Sequence, residues 1–111
     1  MAAPSVVHTG LDFGEGPRWR AGRLWYSDFY RHAVFSIRPD GGDARVEVDL
    51  DDEQPSGLGW LPDGTLLVVA MQARQVLAVD GGASVKPAYV DDDGLPVFVR
   101  DAELRRRLGV R

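Results

Sequence analysis

Apolar side chains in this chain come in short runs rich in Val, Leu, Trp, Tyr and Phe, and each run is closed by a polar turn. Pro39-Asp40-Gly41-Gly42, Pro62-Asp63-Gly64 and Asp80-Gly81-Gly82 are the clearest of these turns, with glycines that permit positive φ. Runs this short, bounded this way, predict strands. They fall near residues 16–20, 23–28, 33–38, 44–49, 57–61, 65–70, 75–80 and 84–90.

The runs also repeat. The segment from Gly22 to Ile37 is echoed by the segment from Gly64 to Val79, an offset of 42 residues. Under it Leu24 meets Leu66, Tyr26 meets Val68, Val34 meets Val76, Phe35 meets Leu77 and Ile37 meets Val79, every pair apolar. Upstream, Trp19 and Trp60 each precede a polar turn. A repeat of about 40 to 50 residues made of short strands points to a β-propeller, in which four-stranded blades pack against one another. The fold class expected is therefore all-β, a partial propeller of about two blades, spanning residues 1–90. A complete small all-β domain unrelated to propellers is the alternative, and it would make the echo coincidental.

Past Ala88 the period fails, because Gly94 follows Gly64 by 30 residues, twelve short of the repeat. The region 91–111 is expected to be a divergent tail. Leu95 to Val99 predicts a short strand, and Asp101 as N-cap, the Leu104/Leu108 pair and Gly109 predict a short helix. Propellers have about 4 to 8 blades, so 111 residues are expected to leave the ring incomplete. Truncation, rearrangement or a frame change in the coding sequence would produce such a chain. Two blades leave a broad apolar face without a neighbour, which makes self-association through that face an expectation.

Composition narrows the chemistry. No cysteine is present, which excludes disulfides, thiolate zinc sites and a cysteine nucleophile. The net charge of −4 argues against nucleic-acid binding, and Arg105-Arg106-Arg107 reads as a solvated helical face. The N-terminus shows no secretory or membrane-spanning pattern, so a cytoplasmic location is the default and no membrane partner is expected. Asp51-Asp52-Glu53 and Asp91-Asp92-Asp93 lack the ligand spacing of an EF-hand and read as solvated turns. Pro55-Ser56-Gly57-Leu58-Gly59 is not a nucleophile elbow, and Ser56 reads as a turn residue. His8 and His32 lack zinc-pair spacing and read as surface residues. Gly14-Glu15-Gly16-Pro17 is neither a dinucleotide turn nor a phosphate loop. Read alone it is a tight turn that leaves Glu15 exposed at the entrance to the first strand.

Three stretches taken in order give Glu15 a second reading. Gly14-Glu15-Gly16-Pro17-Arg18-Trp19, then Gly22 to Asp28, then Pro55 to Val68 resemble the opening of the gluconolactonase, senescence-marker-protein and luciferin-regenerating-enzyme family. The similarity covers roughly residues 10–82. It implies a six-bladed propeller that hydrolyses sugar or related lactones with one divalent cation in its central channel. By that resemblance Glu15 matches the family's first metal ligand, and the cation would be Ca²⁺, with Zn²⁺ or Mg²⁺ as alternatives. The ion would polarise the lactone carbonyl and orient a water. The family's other ligands are an asparagine and an aspartate from later blades, with an arginine and an asparagine at the substrate, and this chain contains no asparagine. The carry-over therefore stops at Glu15. Weak metal binding and no lactonase activity are expected of the chain alone.

Overall fold

The computed structural model describes residues 3–79 in full and the backbone of Asp80 and of 84–89; the strand and helix expected over 91–111 lie outside these residues. The described part is all-β. Its strands are β1 (Gly14–Arg20), β2 (Arg23–Asp28), β3 (Ala33–Ile37), β4 (Arg45–Asp49), β5 (Pro55–Trp60), β6 (Leu66–Ala70), β7 (Gln75–Asp80) and β8 (Ser84–Tyr89). They form two four-stranded sheets in the orders β1-β2-β3-β4 and β5-β6-β7-β8, each an antiparallel meander. Each of the eight strands predicted up to residue 90 is present, with its ends within two residues of the expected ones.

Turn chemistry explains the meanders. Ala21 and Gly22, both at positive φ (51° and 77°), make the two-residue turn whose twist suits the β1/β2 hairpin. The turns between β3 and β4 and between β5 and β6 are built alike, each with Pro and Asp followed by a glycine at positive φ. Gly41 N donates to Arg38 O at 2.8 Å, and Gly64 N donates to Leu61 O at 2.9 Å.

The repeat seen in the sequence is also a repeat of backbone geometry. His32 and Arg74, at the 42-residue offset, share a left-handed φ of 57° and 55° at the end of the β2/β3 and β6/β7 turns. The ladder of β3 with β4 slips between Val34 and Phe35, and that of β7 with β8 slips at the equivalent Val76 and Leu77. β1 and β5 are both bulged, between Glu15 and Arg18 and between Pro55 and Leu58. The stretches Gly14–Pro17 and Pro55–Gly57, read from sequence as turns, are thus bulged strand beginnings. A glycine and a proline in an edge strand mark a bulge as readily as a turn, since neither sustains a regular ladder.

The two sheets stack face to face in one sense. Side chains alternate across each strand, so one face of the first sheet carries Trp25, Ser27, Val34 and Val48. That face packs on Leu58, Leu66, Val68, Leu77 and Val79 of the second sheet in one joint core. Trp25 and Trp60 close one end of it edge to face, with ring centroids 5.2 Å apart. Val34 and Val68 are wholly buried, and full burial of such a side chain is worth about 1.5–3 kcal/mol. The opposite face of the first sheet carries Leu24, Tyr26, Phe35 and Ile37, overlaid by the extended leader through Val6, Val7, His8 and Leu11. Burial there pushes the Tyr26 phenol above its ordinary value, and the nearby Asp28 carboxylate adds to the effect.

At the inner edge β1 and β5 nearly touch. The buried Ser27 Oγ donates to Ser56 O at 2.6 Å. A Cβ on Gly16 would stand 2.6 Å from the same Ser56 carbonyl oxygen, and Gly16 has a φ of 63°. Only glycine satisfies both conditions. Gly16→Ala is therefore expected to destabilise the chain by more than about 1 kcal/mol, measured as a shift in the urea midpoint.

The turn before β4 is held by charge. Asp43 accepts from Arg45 Nη2 at 2.6 Å and from Arg23 Nη1 at 3.0 Å, and these two guanidinium groups hold its carboxyl below the ordinary value of 3.8. A carboxyl lowered on folding stabilises the fold above its unfolded value, and the contribution is lost as pH falls through the folded one. In urea titrations across pH, Asp43→Asn is expected to be slightly less stable than the parent at neutrality. The two curves should merge below pH 3.8.

Candidate functional site

Glu15 lies at the start of β1, paired with Ser27 across the strand and immediately before the bulge. It is half-buried, and among the described residues its carboxylate enters no hydrogen bond or ion pair. The bulge and Gly16 set it where β1 meets β5; with Trp19 aligned on Trp60, its counterpart in the second sheet is the buried Ser56. Ser56 is accordingly a strand residue packed against the first sheet.

The neighbouring acids are occupied. Asp28, at the end of β2 and 1% exposed, accepts from the backbone N–H of Asp12 at 2.9 Å, of Phe13 at 3.0 Å and of Arg31 at 3.3 Å. It thereby ties the leader to the β2/β3 turn. Arg31 lies 3.3 Å from Asp12 and 3.8 Å from Asp28, completing a small charge cluster. Glu53 does the equivalent work in the second sheet, accepting from Gln72 N at 2.8 Å, Ala73 N at 3.1 Å and Gln54 N at 3.0 Å. Asp51 and Asp52 stand exposed as expected, but Glu53 is a structural clasp. Each clasp is accompanied by the same backbone bond, Phe29 N to Phe13 O in one sheet and Met71 N to Gln54 O in the other.

The histidines are also more enclosed than surface residues. His8 sits 6.3 Å from the Tyr26 ring, and His32 Nδ1 is 3.0 Å from Glu53 O. Neither approaches Glu15 through any hydrogen bond. Among the described residues no group of three or more His, Asp or Glu side chains is arranged to hold a metal ion. Among the described residues Glu15 is thus a lone carboxylate, short of the three protein ligands and open position that a catalytic metal centre ordinarily takes.

A second opening lies between the sheets, a cleft of about 150 Å³ bounded by Trp25, Glu47, Trp60 and Val79. The buried Trp25 Nε1 has no hydrogen-bond partner among the described residues, and Glu47 on the same cleft accepts from Ser36 Oγ at 2.7 Å. From sequence Asp28 and Trp25 read only as strand residues, and Glu53, expected in a solvated turn, is the acid that clasps the second sheet. Asp28 had one visible signal, an acid closing an apolar run directly before a turn, the position from which a carboxylate can bond nearby backbone N–H groups.

Set against protein-family models, the chain matches none, and it matches none of the curated proteins either. No helix among the described residues is long and apolar enough to cross a membrane.

The roles of the two acids separate in a stability measurement. Asp28→Ala leaves three backbone donors without an acceptor and is expected to cost about 1–3 kcal/mol in urea denaturation. Glu15→Ala, with no such bonds to lose, is expected to stay within about 0.5 kcal/mol of the parent.

Proposed function

We propose that this chain is a two-blade piece of a β-propeller related to the gluconolactonases, inactive by itself, with Glu15 as one carboxylate ligand for a divalent cation. The observation that carries the reading is the matched backbone of the two sheets. The offset that aligns their side chains also aligns two left-handed pairs, Gly22 with Gly64 and His32 with Arg74, and the bulges of β3 and β7. Two meanders related in this way, with their first strands adjoining, are what consecutive propeller blades require. Support for Glu15 comes from its place on β1 at that inner edge and from a carboxylate with no partner among the described residues. The ion would be Ca²⁺, with Zn²⁺ or Mg²⁺ as alternatives, and the substrate of the complete fold a small lactone.

Titration calorimetry with Ca²⁺ and with Zn²⁺ tests the metal role. The parent chain is expected to release weak heat that Glu15→Gln abolishes, and identical heats from both would remove Glu15 from any metal role. Gluconolactone hydrolysis is expected to stay at the buffer rate; turnover by the chain alone would overturn the inactive-piece reading.

A second reading has its own observation. Trp19 is 62% exposed and Val46 60% exposed on one sheet face, which suits a non-catalytic module that associates through that face.

A further inference from the structure

The interface inside the chain joins two different surfaces. The first sheet contributes the face of Trp25, Ser27 and Val34, and the second contributes the face of Trp60, Leu66, Val68 and Val79. The repeat assigns a counterpart to each. On the first sheet, Trp19, Leu24, Tyr26 and Ile37 occupy the positions that Trp60, Leu66, Val68 and Val79 hold in the second. On the second sheet, Leu67, Val69 and Val76 occupy the positions of Trp25, Ser27 and Val34. The two outward faces of the described sheets are therefore equivalent, by the repeat, to the two halves of the interface between them.

We propose that this chain assembles head to tail with further copies of itself, the Trp19 face of one copy docking on the Leu67 face of the next. The inference rests on the second reading above and needs nothing from Glu15. The state of equivalent residues favours a copy as the occupant. Trp60 is covered by the Trp25 ring, whereas its counterpart Trp19 stands 62% exposed, and Val46, on the opposite edge strand of the same face, 60% exposed. Leu67 keeps an apolar side chain where the first sheet has Trp25, and Val69 and Ala78 are apolar where it has Ser27 and Ser36, so the Leu67 face retains the hydrophobic character of the one that packs internally. The leader is a thin cover. It buries Tyr26 and Ile37, yet its own Val6 is 79% exposed and Val7 49%, and it leaves an apolar groove of about 240 Å³ open beneath it. A neighbouring sheet displaces its Val6–Leu11 stretch, leaving Asp12 and Phe13 bonded to Asp28, and covers Trp19 as well.

Docking between unlike faces is heterologous and closes into a ring when the rotation allows. Propellers hold about 4 to 8 sheets, so rings of two, three or four two-sheet units meet that condition.

Sedimentation of the full chain across a concentration series reads the mass. Two to four times 12.2 kDa is expected, falling to 12.2 kDa in Trp19→Arg and, separately, in Leu67→Arg. A parent chain that stays at 12.2 kDa throughout overturns the proposal. The chain has no cysteine, which permits a second readout independent of those charged variants. With a short bismaleimide, Trp19→Cys mixed with Leu67→Cys is expected to give a cross-linked pair that neither gives alone. Cross-linking of Trp19→Cys to itself would show a like-to-like contact and overturn the head-to-tail arrangement. Mass is read without metal and metal binding without regard to mass, so either proposal fails without the other.

Discussion

A four-stranded meander with apolar side chains on both faces has to be covered twice, and the rest of this molecule follows from how that need is met. The first sheet meets it on one side by packing Trp25, Val34 and Val48 onto Leu66, Val68 and Val79 of the second. On the other side it has only the leader, whose Val6, Val7 and Leu11 reach Leu24, Tyr26 and Ile37. The two coverings differ in kind. A sheet covers the whole face with several strands at once, while a single segment covers only the strip along Leu24, Tyr26 and Ile37, so Tyr26 is buried and Trp19 is left in solvent. Asp28 belongs to the same account, because its bonds to the N–H groups of Asp12 and Phe13 fix the leader where it lies.

Close contact at the inner edge is the second condition. The sheets can stack only if β1 and β5 approach until Ser27 Oγ reaches Ser56 O, and the bulge at Gly16 makes that approach feasible. The same bulge sets the place of Glu15. A carboxylate ahead of a glycine with φ of 63°, on a strand pressed against its neighbour, is positioned by packing and not by any bond of its own. Its chemistry therefore depends on what other oxygen donors are brought near.

Much of the fold was legible in the sequence because period and turn chemistry act locally. The 42-residue echo placed both sheets, and Pro-Asp-Gly at 39–41 and 62–64 placed their turns. What escaped was what depends on pairing across distance. Gly14-Glu15-Gly16-Pro17 reads as a turn until Glu15 is seen opposite Ser27, and Ser56 reads as a turn residue until its carbonyl is seen under Ser27. Glu53 looked like part of a solvated acidic run, yet its acceptors are filled by N–H groups 19 and 20 residues away. The candidate site was legible as one residue only. The chain has no asparagine to extend the resemblance, and neighbouring acids that might have joined Glu15 are spent on holding backbone.

Open sheets also invite pairing at their edges, and here the edges and the faces are treated differently. β4, at one edge, alternates Arg45, Glu47 and Asp49 with its two valines, and charges along an edge oppose the addition of another strand. β1, at the other edge, carries Pro17 and a bulge, which remove a donor and twist the ladder out of register. The faces carry no comparable guard, since Trp19 and Val46 stand exposed with only a leader nearby. Edge pairing is indiscriminate because it uses backbone groups common to all chains, whereas face packing requires matching side chains. Blocking the first and leaving the second open favours association between surfaces shaped for each other. The interior of this chain already contains one such pair in Trp25 against Trp60.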